Sequence, residues 1–303
     1  MHQQQSKPVV SHLRATAFAV ATLAGPLACG DGGIDAGDED TETSTLEGEG
    51  EGDGDGDSDA CDCINDTNLI YLLSDWSELW SYNPTDNSFA MISVLDCGLN
   101  FAPYSMSVDR SGVAWLLSSI DRRLYQTDVN DPNGTCTQVT NFEPYQHGLS
   151  GFTMGFASDS LADQCEYLYV HSASLPANHR LGVVDTQQDP MVIEVLGNVT
   201  TATAELTGTS DGKLFAFTAG EPRNLLQYDT TDASVIESIQ LDGLPSGGAF
   251  AFAHRDGNFY FFTDTSIGYS TVSKYDYGGS QTLSHIGTAP FVVIGAGASN
   301  CAS

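Results

Sequence analysis

Downstream of about residue 65, short apolar runs alternate with polar turns and never settle into a helical period. Five of these runs are rich in β-branched and aromatic residues: "LIYLL" (69–73), "VAWLL" (113–117), "YLYV" (167–170), "LFAF" (214–217) and "FYFF" (259–262). Runs of 4–8 such residues bounded by turn signals predict strands. Each is followed by an apolar residue, three variable positions and Asp or Asn: "LWSYN", "LYQTD", "LGVVD", "LLQYD" and "VSKYD". The closing residues Asn83, Asp128, Asp185, Asp229 and Asp276 are 45, 57, 44 and 47 positions apart. Before four of the runs stands another strand-like stretch: "YSMSVDR", "FTMGFASD", "AELTGTSD" and "FAFAHRD". After each Asp or Asn comes a turn, then a fourth run such as "SFAMISVL" (88–95) or "SVIESIQL" (234–241).

Four strands in about 40–50 residues, repeated, predict the blade of a β-propeller. Stacking blades around an axis covers both faces of each sheet, which accounts for continuously apolar second strands. The strand count is uneven. Nothing strand-like precedes "NLIYLL", and the chain ends on an unpaired run, "FVVIGAGAS" (291–299). The expected fold is therefore all-β, with five four-stranded blades and the C-terminal strand completing the N-terminal blade.

Upstream of the repeats the pattern changes twice. Residues 1–28 carry Lys7 and Arg14, no acid, and the apolar segment "ATAFAVATLAGPLA". This predicts a signal peptide, too short and too interrupted for a spanning helix. Cys29 follows Ala28 and resembles the lipidated cysteine of a bacterial lipoprotein signal, although Pro26 and Leu27 depart from the usual residues there. Residues 30–60 hold 13 acids and no base. With almost nothing to bury, such a segment cannot offset the entropy of ordering, so 29–60 reads as lipidated Cys29 plus an acidic linker. Its "DGDGDSD" places carboxylates at alternate positions but lacks the later ligands of a calcium loop. The propeller domain is expected over 61–303, in the bacterial envelope or, failing lipidation, secreted.

The formal net charge is -30 from 10 Lys+Arg and 40 Asp+Glu, which excludes nucleic acid as a partner and favours a soluble monomer. The pieces "PYSMSVDRSGVAWLL", "GFTMGFASDS", "AELTGTSDGKLFAF" and "VIGAGASNCAS" resemble a family of secreted lipoproteins found in myxobacteria and related bacteria, over roughly residues 60–303. The resemblance implies the envelope address and the repeat, and assigns no chemistry.

Candidate chemistry is sparse. The innermost strands offer Ser105, Met154, Glu205, Thr207 and Phe252 as channel-lining residues. Glu205 is the one early acid among them and the candidate metal residue, with Ca2+ the cofactor to consider. The repeated Asp or Asn residues stand at turn starts, where such side chains bond turn amides. Scattered histidines include His171 and His179, close enough in sequence to meet without completing a ligand set. Trp76 in "SDWSE" could present a ring for sugar or peptide binding, but packing at a blade rim is the preferred reading. In an oxidising compartment Cys61, Cys63, Cys97, Cys136, Cys165 and Cys301 can pair. Strand alignment brings Cys301 to Cys61 or Cys63, and suggests Cys136 with Cys165; Cys97 with Cys136 is the rival. The preferred reading is a membrane-tethered binding or scaffold module for a protein, peptide or glycan. The long "PYQHGLSG" and "SASLPANHR" segments are its candidate contact loops. The alternative is a propeller hydrolase, lyase or lactonase with a metal in the channel.

Overall fold

The computed structural model describes residues 63, 67–149, 151–158, 166–172, 179–199, 203–218, 220–245, 247–265 and 268–301. The signal segment, the acidic linker, Cys29, Cys61 and Cys165 lie outside the described residues.

Twenty strands form five four-stranded antiparallel sheets, the blades of a propeller. Blade 1 contains β1 (Ile70–Ser74), β2 (Glu78–Asn83) and β3 (Ser88–Val94). Blade 2 is β4 (Pro103–Val108), β5 (Val113–Ser118), β6 (Leu124–Asp128) and β7 (Thr137–Gln138). Blade 3 is β8 (Phe152–Ser158), β9 (Glu166–Ser172), β10 (Arg180–Val184) and β11 (Ile193–Asn198). Blade 4 is β12 (Ala204–Gly208), β13 (Leu214–Thr218), β14 (Asn224–Tyr228) and β15 (Val235–Gln240). Blade 5 is β16 (Phe250–Arg255), β17 (Asn258–Asp264), β18 (Ser270–Asp276) and β19 (Leu283–Ala289). The last strand, β20 (Val293–Gly297), pairs with β1 and is the innermost strand of blade 1, as the uneven strand count predicts.

The second strands are buried throughout: β1 and β13 at every position, β17 at all but its ends. Each is covered on both faces by neighbouring blades, so apolar side chains at odd and even positions alike leave water. Between blades 4 and 5, Phe215 lies 4.7 Å from Phe259, and Tyr277 packs within 5.4 Å of both rings. Near the axis the innermost strands approach closely. A Cβ on Gly155 would lie 2.8 Å from the Leu206 carbonyl carbon, and one on Gly297 would lie 2.7 Å from Val108 N. Glycine is required at both by proximity, with no demand on φ.

All five repeated Asx residues act in their turns. Asn83 accepts from Thr85 N (2.9 Å), Asp128 from Asn130 N (2.7 Å), Asp185 from Gln187 N (3.0 Å), Asp229 from Thr231 N (2.8 Å) and Asp276 from Ser280 N (2.8 Å). These bonds hold the carboxyls of Asp229 and Asp276 below the usual range, chiefly through the Thr231 hydroxyl and the Ser280 amide.

Two disulfides are present among the described residues. Cys63–Cys301 spans 238 residues and ties the two ends of the propeller together, in agreement with the strand alignment. Cys97–Cys136 spans 39 residues. Cys136 therefore does not pair with Cys165, and the rival pairing is the one formed. β7 pairs Gln138 with Tyr125 and Thr137 with Gln126, so Cys136 opens the fourth strand as the alignment predicts. Its partner is set by a contact between blades: Thr135 bridges Asp96, and Cys136 N donates to Asp96 O at 3.4 Å, which brings Cys136 beside Cys97.

Candidate functional site

The inner strands β20, β4, β8, β12 and β16 form the ring around the axis, and every one begins at the same end. At that end, called upper here, a depression of about 220 Å³ is lined from all five blades. Pro103 and Tyr104 come from blade 2, Thr153 from blade 3 and Thr203 and Glu205 from blade 4; Gly248, Ala249 and Phe250 belong to blade 5, and Ile294 to blade 1. This mouth of the channel is the candidate site.

Glu205 is only 6% exposed. Its Oε2 accepts the Ser105 hydroxyl at 3.2 Å, across from blade 2 to blade 4. Burial pushes its carboxyl well above the ordinary carboxylate range, and the Ser105 bond offsets only part of that. Burial thus favours the protonated form of the carboxyl, the form that can donate a hydrogen bond. Ser105 Oγ also accepts Met154 N at 3.3 Å, which fixes the hydroxyl between three blades. Thr153 Oγ1 donates to Ala204 O. Tyr104 is raised by desolvation and then by Glu205, with Arg122 opposing; the Arg122 guanidinium lies 5.6 Å from the ring centre.

Ser105 and Glu205 are thus joined across two blades by a hydrogen bond, and Glu205 lines the mouth. Thr207 lies deeper, accepting His254 N at 3.3 Å. Met154 and Phe252 do not line the channel. Met154 packs with Trp115 and Phe156 between blades 2 and 3, and Phe252 with Phe217 and Phe261 between blades 4 and 5. The side chains of a radial sheet point at neighbouring blades, so much of an inner strand's side-chain content goes to the walls. No group of three His, Cys, Asp or Glu side chains converges among the described residues. Glu205 has a hydroxyl beside it rather than the several oxygens calcium needs.

The lower end is closed by residues the sequence did not single out. Asn300 Nδ2, just after β20, donates to Phe156 O (2.7 Å) and Glu166 Oε2 (3.2 Å) of blade 3. Glu166 Oε1 accepts Arg110 N of blade 2 at 2.5 Å, and the Arg110 guanidinium bonds Ser158. Arg255 of blade 5 donates to Ser299 O (3.2 Å) and Asn68 Oδ1 (3.0 Å). Burial pushes the Glu166 carboxyl up to about 8 against the opposing pull of the Arg110 amide and guanidinium.

Other expectations fall differently. Trp76 is 77% exposed rather than packed at a rim, because the β1–β2 turn lifts it past its neighbours. His171 and His179 do meet, their rings stacked 6.3 Å apart, and burial lowers His171 to about 4. The "PYQHGLSG" segment is held against its own blade, with Tyr145 exposed. Gln146 Oε1 accepts Ile193 N at 2.8 Å and its Nε2 donates to Met191 O at 3.1 Å, pinning the loop along blade 3. Most of "SASLPANHR" lies outside the described residues.

No protein-family model and no curated protein matches the chain. Solved structures with a similar trace are β-propellers. TolB from Acinetobacter baumannii is 16% identical with a TM-score of 0.42, over 72% of this chain and 51% of that one. This chain therefore spans about half the length of TolB. A streptogramin B lyase structure is 12% identical with a TM-score of 0.43, over 75% and 68% of the two chains. Virginiamycin B lyase from Staphylococcus aureus is 12% identical with a TM-score of 0.42, over 71% and 69%. At these values nothing is transferred; the five-blade architecture rests on the sheet topology.

Proposed function

We propose that the protein is a membrane-tethered, extracytoplasmic β-propeller that serves as a binding or scaffold module for a protein, peptide or glycan. One observation carries this reading. A ring tied between blades by buried hydrogen bonds presents a depression built from all five blades at one end, while the other end is closed. Such a depression is largely preformed, with few polar groups set among apolar walls, which suits recognition. The tether supports it too: Cys63, where the described chain enters the ring, is bonded to Cys301 beside the closed end.

The test is a mouth-filling variant. A Cβ added at Gly248 meets nothing within 4 Å, so Gly248→Trp should fold normally and occupy the opening. Wild type is screened on glycan and peptide arrays, then the variant on every hit. Loss of the hits with an unchanged thermal midpoint supports the reading; hits that persist overturn the mouth as the site.

One feature favours the second reading, a hydrolase or lyase. Glu205 lies at the mouth with its carboxyl pushed toward the protonated form by burial, as a general acid's would be. Glu205→Gln separates the two. A binding site keeps its affinity within a few fold, whereas a general acid loses turnover by about 10²-fold or more.

A further inference from the structure

A second cavity, of about 440 Å³, opens between blades 3 and 4, away from the channel. One wall is the face of blade 3. Tyr169 on β9 pairs with Val183 on β10, which pairs with Glu194 on β11, so the three side chains stand in one row. Tyr167, two residues earlier, shares their face, and Asp185 follows just beyond β10. The opposite wall is the β14–β15 turn of blade 4, with Thr230 and Thr231. The junction of blades 4 and 5 also holds a cavity, of about 360 Å³, but its lining includes Lys213 and His254, basic side chains that the cleft between blades 3 and 4 lacks.

We infer that this cleft receives the ammonium or guanidinium group of a basic side chain offered by a protein or peptide partner. The inference rests on the binding-module reading and gives it a second contact point. The half-buried ring of Tyr167 attracts a cation through its face, with Tyr169 packed behind it. Two carboxylates stand beside it, and no lining residue is basic. Tyr169 is only 5% exposed, so its ring is held by the core and not by a flexible loop. The net charge of -30 draws basic partners toward the whole surface.

The experiment titrates the full chain with two capped tripeptides, acetyl-Gly-Lys-Gly-amide and the same peptide with norleucine, and with chitobiose as a neutral sugar, followed by NMR. The lysine peptide should perturb cleft resonances, weaken as salt rises, and lose about fivefold in affinity in Glu194→Gln and in Tyr167→Leu. Glu194 is exposed, so its variant should keep the wild-type midpoint. Equal response to lysine and norleucine, stronger binding of chitobiose, or indifference to Glu194→Gln would overturn the inference. Gly248→Trp should leave lysine binding unchanged. If the array hits at the mouth survive scrutiny while the lysine peptide fails, the cleft inference falls and the binding module stands.

Discussion

Cutting the clasp between the chain ends should cost more stability than cutting the shorter disulfide. The ordering follows from loop length. In the chain-entropy account, closing 238 residues between Cys63 and Cys301 restricts the unfolded chain by about 5.5 kcal/mol, and closing the 39 between Cys97 and Cys136 by about 4 kcal/mol. The difference, about 1.5 kcal/mol, depends only on the logarithm of the loop ratio. A domain of this size shifts by roughly 2–4 °C per kcal/mol, so the long closure corresponds to roughly 10–20 °C of thermal midpoint. The perturbation is Cys301→Ser, because Cys61 could replace Cys63 but nothing adjacent replaces Cys301. Its comparison is the double variant Cys97→Ser with Cys136→Ser. Both are exported to an oxidising compartment and melted without reductant, by circular dichroism. A midpoint loss in Cys301→Ser smaller than in the double variant would refute the reasoning. So would peptide mapping that finds Cys301 as a free thiol in the wild type.

Three further outcomes are expected. Glu205→Gln should match wild type at acid pH and exceed it as pH rises. A carboxyl raised by burial contributes its stability below the unfolded value and loses it as pH climbs through the folded one, while the amide never ionises; parallel midpoint curves up to pH 9 would contradict this. Asn300→Ala should cost about 1–3 kcal/mol, since it strips the Phe156 carbonyl and Glu166 of a buried donor, read by chemical unfolding. Cys29→Ala should move the protein from the membrane to the soluble envelope fraction in a host that processes lipoprotein signals, and equal membrane recovery would count against the anchor.

What the sequence made legible were features with a local cause. A second strand buried on both faces must be apolar at every position, so "VAWLL" and "FYFF" announced β5 and β17 within a residue or two. Asx residues at turn starts bond amides nearby in the chain, and all five did so. Ring closure was legible because strands are countable. The misses were long-range or turned on local orientation. Asn300 reaches Phe156 and Glu166 over separations of 144 and 134 residues, and no spacing rule encodes such a contact. Met154 and Phe252 were misplaced because alternation says which side chains share a face, while the blade's radial orientation decides what that face meets. The partner of Cys136 was missed because it is set by the Asp96–Thr135 bridge between blades 1 and 2, a contact that no strand count encodes.

The same closure explains why the two ends of the ring differ. When the last strand completes the first blade, the chain leaves β20 and enters β1 at one end of the sheet. Both junctions must be secured there, and the securing groups are bulky and polar. Cys63–Cys301 joins the ends, Arg255 grips Ser299 and Asn68, and Asn300 reaches across to blade 3. Arg255 and Asn300 are buried at this end and bond to backbone carbonyls and to Asn68 and Glu166, which lowers the cost of their burial. The upper end carries no such duty. Its inner strands simply begin, and the space between their first residues stays open around Glu205. On the proposed reading, an anchor upstream of Cys63 would join the ring at the end that Cys63 and Cys301 occupy, and the depression at the opposite end would be the one left for a ligand.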